Sequence, residues 1–394
     1  MAAVLVPAAA GLLGLLVLAN PMRHLAGEWV AGAVLIFVSF YPTFVTYEHA
    51  VLTETGTYLF FAVACALTIW NPRSDGSRWL RAVFIALVLG IGFYWRQNLL
   101  YLVAPAAALT ILREWRRDAK LFGLTRPETL ACLGRVAIFI VIPYVFSKPW
   151  DRVVPSGPVF DTTLKQGTVR QALLPPDDPY LGPDKDVYIA AIRDSMRGNN
   201  FYSGVTWPNL ERAGPKVFEK PIPSVPAFFL HLVLKYPMRY LSCFGRSILF
   251  FSGIQGVESD NRSFRDELLS PAGGAQISEG PEPLDSKIKA DFQEHTSTSL
   301  IQRRLRRLAK PYDFLLPIAV LVTFAGLVAS IFQRNIALGC FCLFPLFYLF
   351  VTSLWLVTID RFMVPVYPVI LANLLLVPGC VWKAVQARRG TNAA

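Results

Sequence analysis

The chain has 394 residues, of which 54% are hydrophobic and only 16% are charged, and its net charge is +11. This hydrophobic share excludes a disordered chain and argues against a soluble enzyme, and apolar runs of about 15–20 residues recur, close to the length that crosses a bilayer. The excess positive charge lies mainly in short loops rather than on a basic face interleaved with aromatic residues, so we expect no nucleic-acid partner. The composition therefore predicts a multi-pass membrane protein with membrane lipids as partners.

The apolar runs predict an all-α polytopic fold with about nine transmembrane helices. The first run lacks the basic flank of a signal peptide, so we interpret it as a true span. The fourth and fifth runs are short and are separated by YWRQN, so they could form two tilted helices or one long broken helix. The predicted spans cover residues 2–19, 30–47, 52–71, 82–95, 99–113, 131–147, 313–332, 336–358 and 362–382.

A long polar segment, rich in proline and glycine, separates the sixth and seventh spans and could form a small domain of irregular and helical content. Within it, residues 225–253 are apolar but interrupted by charges, a pattern typical of helices that lie in the membrane interface. A strongly basic stretch at 301–310 predicts a second interfacial helix. The predicted domains are N-terminal helices at 1–147, the extracytoplasmic segment at 148–311, C-terminal helices at 312–383 and a tail at 384–394.

Basic residues in the short loops predict the orientation, because lysine and arginine concentrate in cytoplasmic loops. One set of loops is strongly basic, while the opposite short loops carry only Arg96 and Arg361. The long segment then lies outside, and the C-terminus is cytoplasmic. An alternative is an extra span inside 225–253, which would place the basic C-terminal tail outside. The compact polytopic format favours a bacterial inner (plasma) membrane. The cytoplasmic set comprises Arg23, Arg73, Arg78, Arg81, Arg113, Arg116, Arg117, Lys120, Arg126, Arg334, Lys383, Arg388 and Arg389.

Several ionisable residues gather at the predicted outer boundary of the membrane, where their burial is costly and often functional. Each also has a structural interpretation. Glu54 could complement a helix dipole, Arg96 could extend toward the interface, and Arg361 could pair only with its neighbour. Glu48 and His49 together could hold a divalent metal, although their spacing is not diagnostic and the metal ligands stay unknown. The set is Glu48, His49, Glu54, Arg96, Asp360 and Arg361.

Three stretches taken together resemble a known family. They are SFYPTFVTYEHAVLTETGTYLFF, GIGFYWRQNLLYLVAPAAAL and RFMVPVYPVILAN, in that order along the chain. The chain resembles membrane glycosyltransferases of the GT-C superfamily, which includes protein O-mannosyltransferases and the lipid A aminoarabinose transferase. The resemblance spans about 1–150 and 310–385. In this family a sugar is taken from a polyprenyl- or dolichyl-phosphate donor at the outer membrane face.

The resemblance implies roles for individual residues. Glu54 falls where a family acid contacts the sugar or supports catalysis, with Glu48 as a further candidate. Arg361 and Arg96 fall where arginine engages the donor phosphate, and His49 is another candidate for substrate binding. The implied partners are a polyprenyl-phosphate-linked sugar and an acceptor glycan, lipid or protein. The pattern requires no cofactor, and the divalent metal considered above is the one candidate.

One departure from the family pattern limits this interpretation. The family's principal catalytic acid lies in a first outer loop, whereas the only acid before Glu48 here is Glu28, which the predicted topology places in the cytoplasm. We expect that the sequence lacks the first span and first outer loop, or that it is a paralogue without transferase activity. The alternative functions are a transporter of lipid-linked saccharides and a non-catalytic subunit of a glycosylation complex.

Overall fold

The structure is a computed structural model that describes residues 2–41, 54–117, 126–153, 178, 225–253, 299–354, 363 and 365–391. All regular elements in these ranges are helices. A 3-10 helix at Gln97–Leu102 lies between α4 and α5. The α-helices are α1 Ala2–Ala26, α2 Glu28–Ser39, α3 Glu54–Ile69, α4 Asp75–Trp95, α5 Val103–Arg117, α6 Arg126–Val153, α7 Val225–Lys235, α8 Pro237–Phe251, α9 Ser299–Phe332, α10 Ile336–Leu354 and α11 Tyr367–Thr391.

Each of the nine predicted spans corresponds to a helix, but only some of these helices are long. Six of the described helices are long and apolar enough to cross a membrane. The other three are shorter apolar helices, at Glu28–Ser39, Thr55–Ile69 and Asn98–Arg113. The helical membrane class is therefore supported. The six long segments are Ala8–Ala26, Asp75–Trp95, Glu128–Phe146, Phe314–Phe332, Ile336–Leu354 and Tyr367–Ala387.

Local sequence explains where several helices begin and end. Gly27 joins α1 to α2 with a φ of 96°, a left-handed conformation that glycine adopts at little cost. Ser74 caps α4, because its side chain accepts a hydrogen bond from the Ser77 amide at 3.2 Å. This cap starts α4 at Asp75, seven residues before the predicted span. The predicted interfacial helix at 301–310 is continuous with the following span, since both belong to α9.

The chain divides into two compact units. The first comprises Met1–Trp150, Pro283–Tyr348 and Arg361–Ala394, and the second comprises Asp151–Glu282 and Leu349–Asp360. The first unit holds most of the apolar helices. In the second, the described residues are mainly α7, α8 and the last turns of α10.

Helix α3 of the first unit ends beside two arginine side chains. Arg113, near the end of α5, donates hydrogen bonds to the carbonyls of Ile69 (3.1 Å) and Trp70 (2.7 Å). Arg81, in the second turn of α4, donates to the same Trp70 carbonyl at 3.0 Å. These bonds satisfy backbone carbonyls that the end of α3 leaves without helical partners. They also show that α5 runs back beside α4, so the fourth and fifth runs form a hairpin and not one long broken helix.

Other basic residues lie at the same end of this unit. Arg135 of α6 donates to Asp75 at the start of α4, at 2.8 Å, and Lys383 of α11 donates to the carbonyl of His24 at 3.0 Å. Four residues into α10, Cys340 approaches Cys65 near the end of α3, with 3.4 Å between the sulfur atoms. We call this the basic end. It is defined by Arg23, His24, Arg81, Arg113, Arg135 and Lys383.

Aromatic contacts connect helices at the opposite end of the first unit. Tyr312 of α9 donates a hydrogen bond to the Phe37 carbonyl near the end of α2, at 2.6 Å, and its ring stacks on the Phe37 ring. Tyr94, near the end of α4, donates to the Phe146 carbonyl of α6. We call this the opposite end. It is defined by Phe37, Gly56, Trp95, Phe146 and Tyr312.

These two ends determine the direction of the helices that flank the long polar segment. Helix α6 runs from the basic end, at Arg135, to the opposite end, at Phe146. Helix α9 runs from the opposite end, at Tyr312, back to the basic end, where Asn335 follows it. The segment between α6 and α9 therefore begins and ends on one side.

Candidate functional site

The predicted acid Glu54 opens helix α3 at the opposite end of the first unit. It is the first residue of a 16-residue helix, and the buried residues Thr55 and Thr57 follow it. Gly56 lies in direct contact with the Trp95 indole, where a β-carbon would overlap the ring. Glycine at this position therefore allows the start of α3 and the end of α4 to meet.

Arg96 follows Trp95 at the point where the chain reverses between α4 and the 3-10 helix. Its backbone is extended, with φ −158° and ψ 123°, which ends α4. The Arg96 amide donates to the Gly92 carbonyl at 2.8 Å, and its own carbonyl accepts from the Leu99 amide at 3.1 Å. Its side chain is partly exposed. The structure thus brings the predicted arginine to the same place as the start of the Glu54 helix, through the Gly56–Trp95 contact.

Polar groups lie on α3 itself and on α10, which packs against α3 through Phe61 and Phe344. Thr55 is fully buried, and its hydroxyl oxygen has no hydrogen-bond partner among the described residues. Tyr101 of the 3-10 helix packs against Tyr348 of α10, with ring centroids 5.8 Å apart. Both tyrosines belong to the first unit. Polar groups in an apolar helical environment are costly to bury, so their gathering beside the Glu54 helix marks this region as the candidate site.

The other predicted site residues lie outside the described residues. These include Glu48, His49, Asp360 and Arg361, and the side chain of Glu54 is not described either. The next described residue is Met363, whose carbonyl accepts hydrogen bonds from the amides of Val366 (2.9 Å) and Tyr367 (3.0 Å). This buried turn leads directly into α11.

A second cluster, in the second unit, was missed by sequence reasoning. The carboxylate of Asp178 is fully buried and contacts His231 Nε2 at 3.1 Å, Lys235 Nζ at 3.2 Å and the Tyr236 hydroxyl at 2.6 Å. His231 and Lys235 are four residues apart on α7, so they share one helix face. We call these four residues the Asp178 cluster. The spacing in HLVLKY indicates that His231 and Lys235 share a helix face next to Tyr236. However, nothing in the sequence indicates that these donors contact an acid more than fifty residues earlier in the chain.

The carboxylate affects the titration of its neighbours. Its hydrogen bond raises the pKa of Lys235 above the ordinary value, because the charged ammonium is stabilised. The same carboxylate raises the pKa of Tyr236, because ionising the phenol would lose its hydrogen bond to Asp178 and place a negative charge beside it. Both pKa changes reinforce the states that the two groups already hold near neutral pH, with Lys235 cationic and Tyr236 neutral.

The basic end has a different chemical character from the candidate site. Arg81 and Arg135 are almost completely buried, and their described bonds go to a backbone carbonyl and to Asp75. Arg135 also lies over the Trp79 ring, 5.4 Å from its centroid. These contacts stabilise helix ends and helix packing.

No group of three or more histidine, cysteine, aspartate or glutamate side chains in the described ranges could hold a metal ion. The five cysteines whose side chains are described, at positions 65, 132, 340, 342 and 380, are buried. The predicted Glu48 and His49 metal site falls outside these ranges. Comparisons with protein-family models, with curated proteins and with solved structures find no match for this chain.

Proposed function

We propose that this chain is an integral membrane glycosyltransferase that moves a sugar from a polyprenyl-phosphate-linked donor to an acceptor at the outer membrane face. In this proposal all nine apolar helices are embedded in a bacterial inner membrane, and the basic end with the C-terminal tail faces the cytoplasm. The opposite end then faces outward, where the donor's sugar and phosphate lie.

The observation that carries the proposal is the meeting of two helix ends at Gly56 and Trp95. This contact brings the start of the Glu54 helix beside the chain reversal at Arg96, at the end of the unit opposite the basic loops. A carboxylate and a guanidinium near one membrane boundary are suited to a donor that combines a sugar with a lipid phosphate.

The chemistry requires one bond to form and one to break at the anomeric carbon. The acceptor hydroxyl attacks that carbon, its proton passes to a carboxylate base, and the bond to the phosphate oxygen breaks. Charge then develops on the leaving lipid phosphate. Arg96 and Arg361 would stabilise that charge through charge-assisted hydrogen bonds, while Glu54 would contact the sugar or support the base.

Transfer of labelled sugar from polyprenyl phosphate to endogenous acceptors in membranes tests the proposal. We expect Glu54→Gln, Arg96→Ala and Arg361→Ala each to reduce transfer. Glu28→Gln and Arg73→Ala are matched controls, because they remove the same kinds of charge from the basic end, at the start of α2 and in the loop after α3. Both controls should retain the activity of the unaltered chain.

Two results would contradict the proposal. Membranes containing the unaltered chain could transfer no more sugar than membranes without it, which would argue against an enzyme. Alternatively, Glu54→Gln and Arg361→Ala could transfer as well as the controls, which would reject the site. Expression and monodispersity of each variant in detergent should be measured first, so that loss of folding is distinguished from loss of chemistry.

A further inference from the structure

Arginine side chains from three helices converge at the basic end, where α3 ends. Arg81 of α4 and Arg113 of α5 donate hydrogen bonds to the same carbonyl oxygen, that of Trp70, at 3.0 Å and 2.7 Å. Two guanidinium groups that share one acceptor atom are close neighbours. Since both are cationic, they repel each other.

Two further arginines approach the carboxylate of Asp75, the first residue of α4. Arg135 of α6 donates to Asp75 Oδ1 at 2.8 Å, and a terminal guanidinium nitrogen of Arg78 lies 3.7 Å from the same atom. Arg78 and Arg81 are three residues apart on α4, so the two pairs of arginines are adjacent on one helix face. We call Arg78, Arg81, Arg113 and Arg135 the arginine cluster.

Most of this charge lies away from water. Arg81 and Arg135 are each 2% exposed, and the Arg78 side chain is 17% exposed. The Asp75 side chain that Arg78 and Arg135 approach is, by contrast, 61% exposed. A buried guanidinium loses its hydration, so anionic or polar partners in its surroundings must offset that loss. The cluster is therefore a place where a further anion would be stabilised.

The sequence around the cluster contains more cations than its acids can neutralise. The stretches 70–81 and 113–135 hold nine basic residues and four acidic ones. If each acid paired with one cation, five positive charges would still remain in these stretches. The basic residues are Arg73, Arg78, Arg81, Arg113, Arg116, Arg117, Lys120, Arg126 and Arg135, and the acids are Asp75, Glu114, Asp118 and Glu128.

The cluster lies at the start of two apolar helices. Asp75–Trp95 and Glu128–Phe146 are both long and apolar enough to cross a membrane, and the arginines of α4 and α6 belong to their first two turns. Two tryptophans lie at the same end. Arg135 lies over the Trp79 ring, 5.4 Å from its centroid, and Trp70 is 46% exposed. Tryptophan and arginine at the end of a span are typical of the membrane–water boundary, where the phosphate groups of phospholipids lie.

We propose that the arginine cluster is a binding site for a phosphate group at this boundary. Phosphate oxygens accept charge-assisted hydrogen bonds from guanidinium groups, and the planar fork of arginine presents two N–H donors to one phosphate. An anion between neighbouring arginines also reduces their mutual repulsion. This chemistry fits both the head group of an anionic phospholipid and free inorganic phosphate. The inference depends on the charge and contacts of the cluster and not on the proposed transferase activity.

Thermal unfolding of the full chain in nonionic detergent micelles distinguishes the two sources. Phosphatidylglycerol is titrated into the micelles in one arm, and phosphatidylcholine, which has no net charge, replaces it in the matched arm. In a third arm without added lipid, inorganic phosphate is compared with chloride at equal ionic strength. We expect the anion to raise the unfolding temperature, because it binds the folded chain, and added sodium chloride to reduce that rise.

Each outcome of these titrations has one meaning. A rise with phosphatidylglycerol and not with phosphatidylcholine identifies a lipid head group as the source of the phosphate. A rise with inorganic phosphate above that with chloride identifies free phosphate. Equal unfolding temperatures with the two lipids, together with no effect of inorganic phosphate, would overturn the proposal.

Variants of the full chain locate the site. Arg78→Gln removes a partly exposed charge of the cluster, and Arg135→Gln removes a buried one. Native mass spectrometry counts the molecules of phosphatidylglycerol or inorganic phosphate that remain bound. Each variant should weaken retention by about tenfold or more, as expected for the loss of a hydrogen bond between charged groups. Arg23→Gln is the control, because it removes an exposed charge of α1 at the same end, and it should retain the ligand as the unaltered chain does.

Arg135→Gln could lose its fold, since it removes a partner of Asp75. The decision then rests on Arg78→Gln, whose side chain is partly exposed. Equal retention by Arg78→Gln and Arg23→Gln would overturn the proposal, whether both are weakened or both are unchanged. The anion would then respond to the general charge of this end, or to no arginine of the cluster.

Discussion

The two ends of the first unit both carry charged residues, but they place them differently. At the basic end, Arg81 and Arg113 donate to the last carbonyls of α3, and Arg135 donates to Asp75. At the opposite end, Glu54 starts a helix and Arg96 lies at a chain reversal. The comparison shows that the role of an arginine near a membrane boundary can be assigned only when its hydrogen-bond partner is known. An arginine that donates to the last carbonyls of a helix has a structural role that needs no substrate.

The largest expected effect concerns the opposite end. If Glu54 acts on the sugar or supports the base, Glu54→Gln should reduce sugar transfer by about 100-fold or more, a typical loss for an acid–base group. Glu28→Gln, the isosteric change at the basic end, should leave the rate unchanged. The initial rate of transfer in membranes, normalised to protein, measures both. Similar rates for the two variants would remove the functional distinction between the ends.

The helix contact that organises the opposite end can be broken sterically. Gly56→Leu should destabilise the protein by about 1–3 kcal/mol, because the new side chain would overlap the Trp95 indole. Thermal unfolding in detergent measures the loss. The double variant with Trp95→Ala should recover part of it, since the smaller residue leaves room. Gly32→Leu is the control, because a β-carbon at position 32 meets no atom within 4 Å.

Substitutions of the capping arginines at the basic end should change the free energy of unfolding. Arg113→Met should lower the free energy of unfolding by about 2 kcal/mol, because the carbonyls of Ile69 and Trp70 lose the hydrogen bonds that the Arg113 guanidinium donates. Arg73→Met, at an exposed loop position of the same end, should change it little. Thermal unfolding of the two variants side by side is the measurement. An equal effect in both would mean that charge at this end, and not helix capping, stabilises the unit.

The smallest effect is expected in the Asp178 cluster. Since the carboxylate raises the pKa of Lys235, Asp178→Asn should lower it, and the lysine should react with an acylating reagent at lower pH. The stabilising interaction with Lys235 is complete below the ordinary lysine pKa of 10.5 and is lost as the pH rises through the raised value. Peptide mass spectrometry of Lys235, with Lys383 as internal reference, measures the pH profile. An unchanged profile would show that the carboxylate does not control this lysine.

Much of the fold could be predicted because helix formation in a membrane depends on local hydrophobicity. Each predicted apolar run corresponds to a helix, and the basic short loops that are described share one end of the first unit. Helix limits were less predictable. Helix α4 begins at Asp75 because Ser74 caps it. Its first turns are polar, so the apolar run marks only the part of the helix that starts at residue 82.

The candidate site was predictable only in part. Local sequence placed Glu54 at a helix start and Arg96 between two apolar runs, and both positions agree with the structure. That these two positions meet depends on Gly56 accommodating Trp95, a contact between residues far apart in sequence. The Asp178 cluster was missed for the same reason, since its acid and its donors come from separate segments.

The sequence by itself determined that this is a helical membrane protein, where most of its apolar helices lie, and which short loops are basic. Hydrophobic length and charge are properties of contiguous residues, so they can be read without knowing the fold. Only the tertiary structure decided that α4 and α5 form a hairpin, and that the end of α6 and the start of α9 lie on one side of the first unit. These arrangements depend on contacts between distant segments, such as Arg113 with Trp70 and Tyr94 with Phe146, which packing selects.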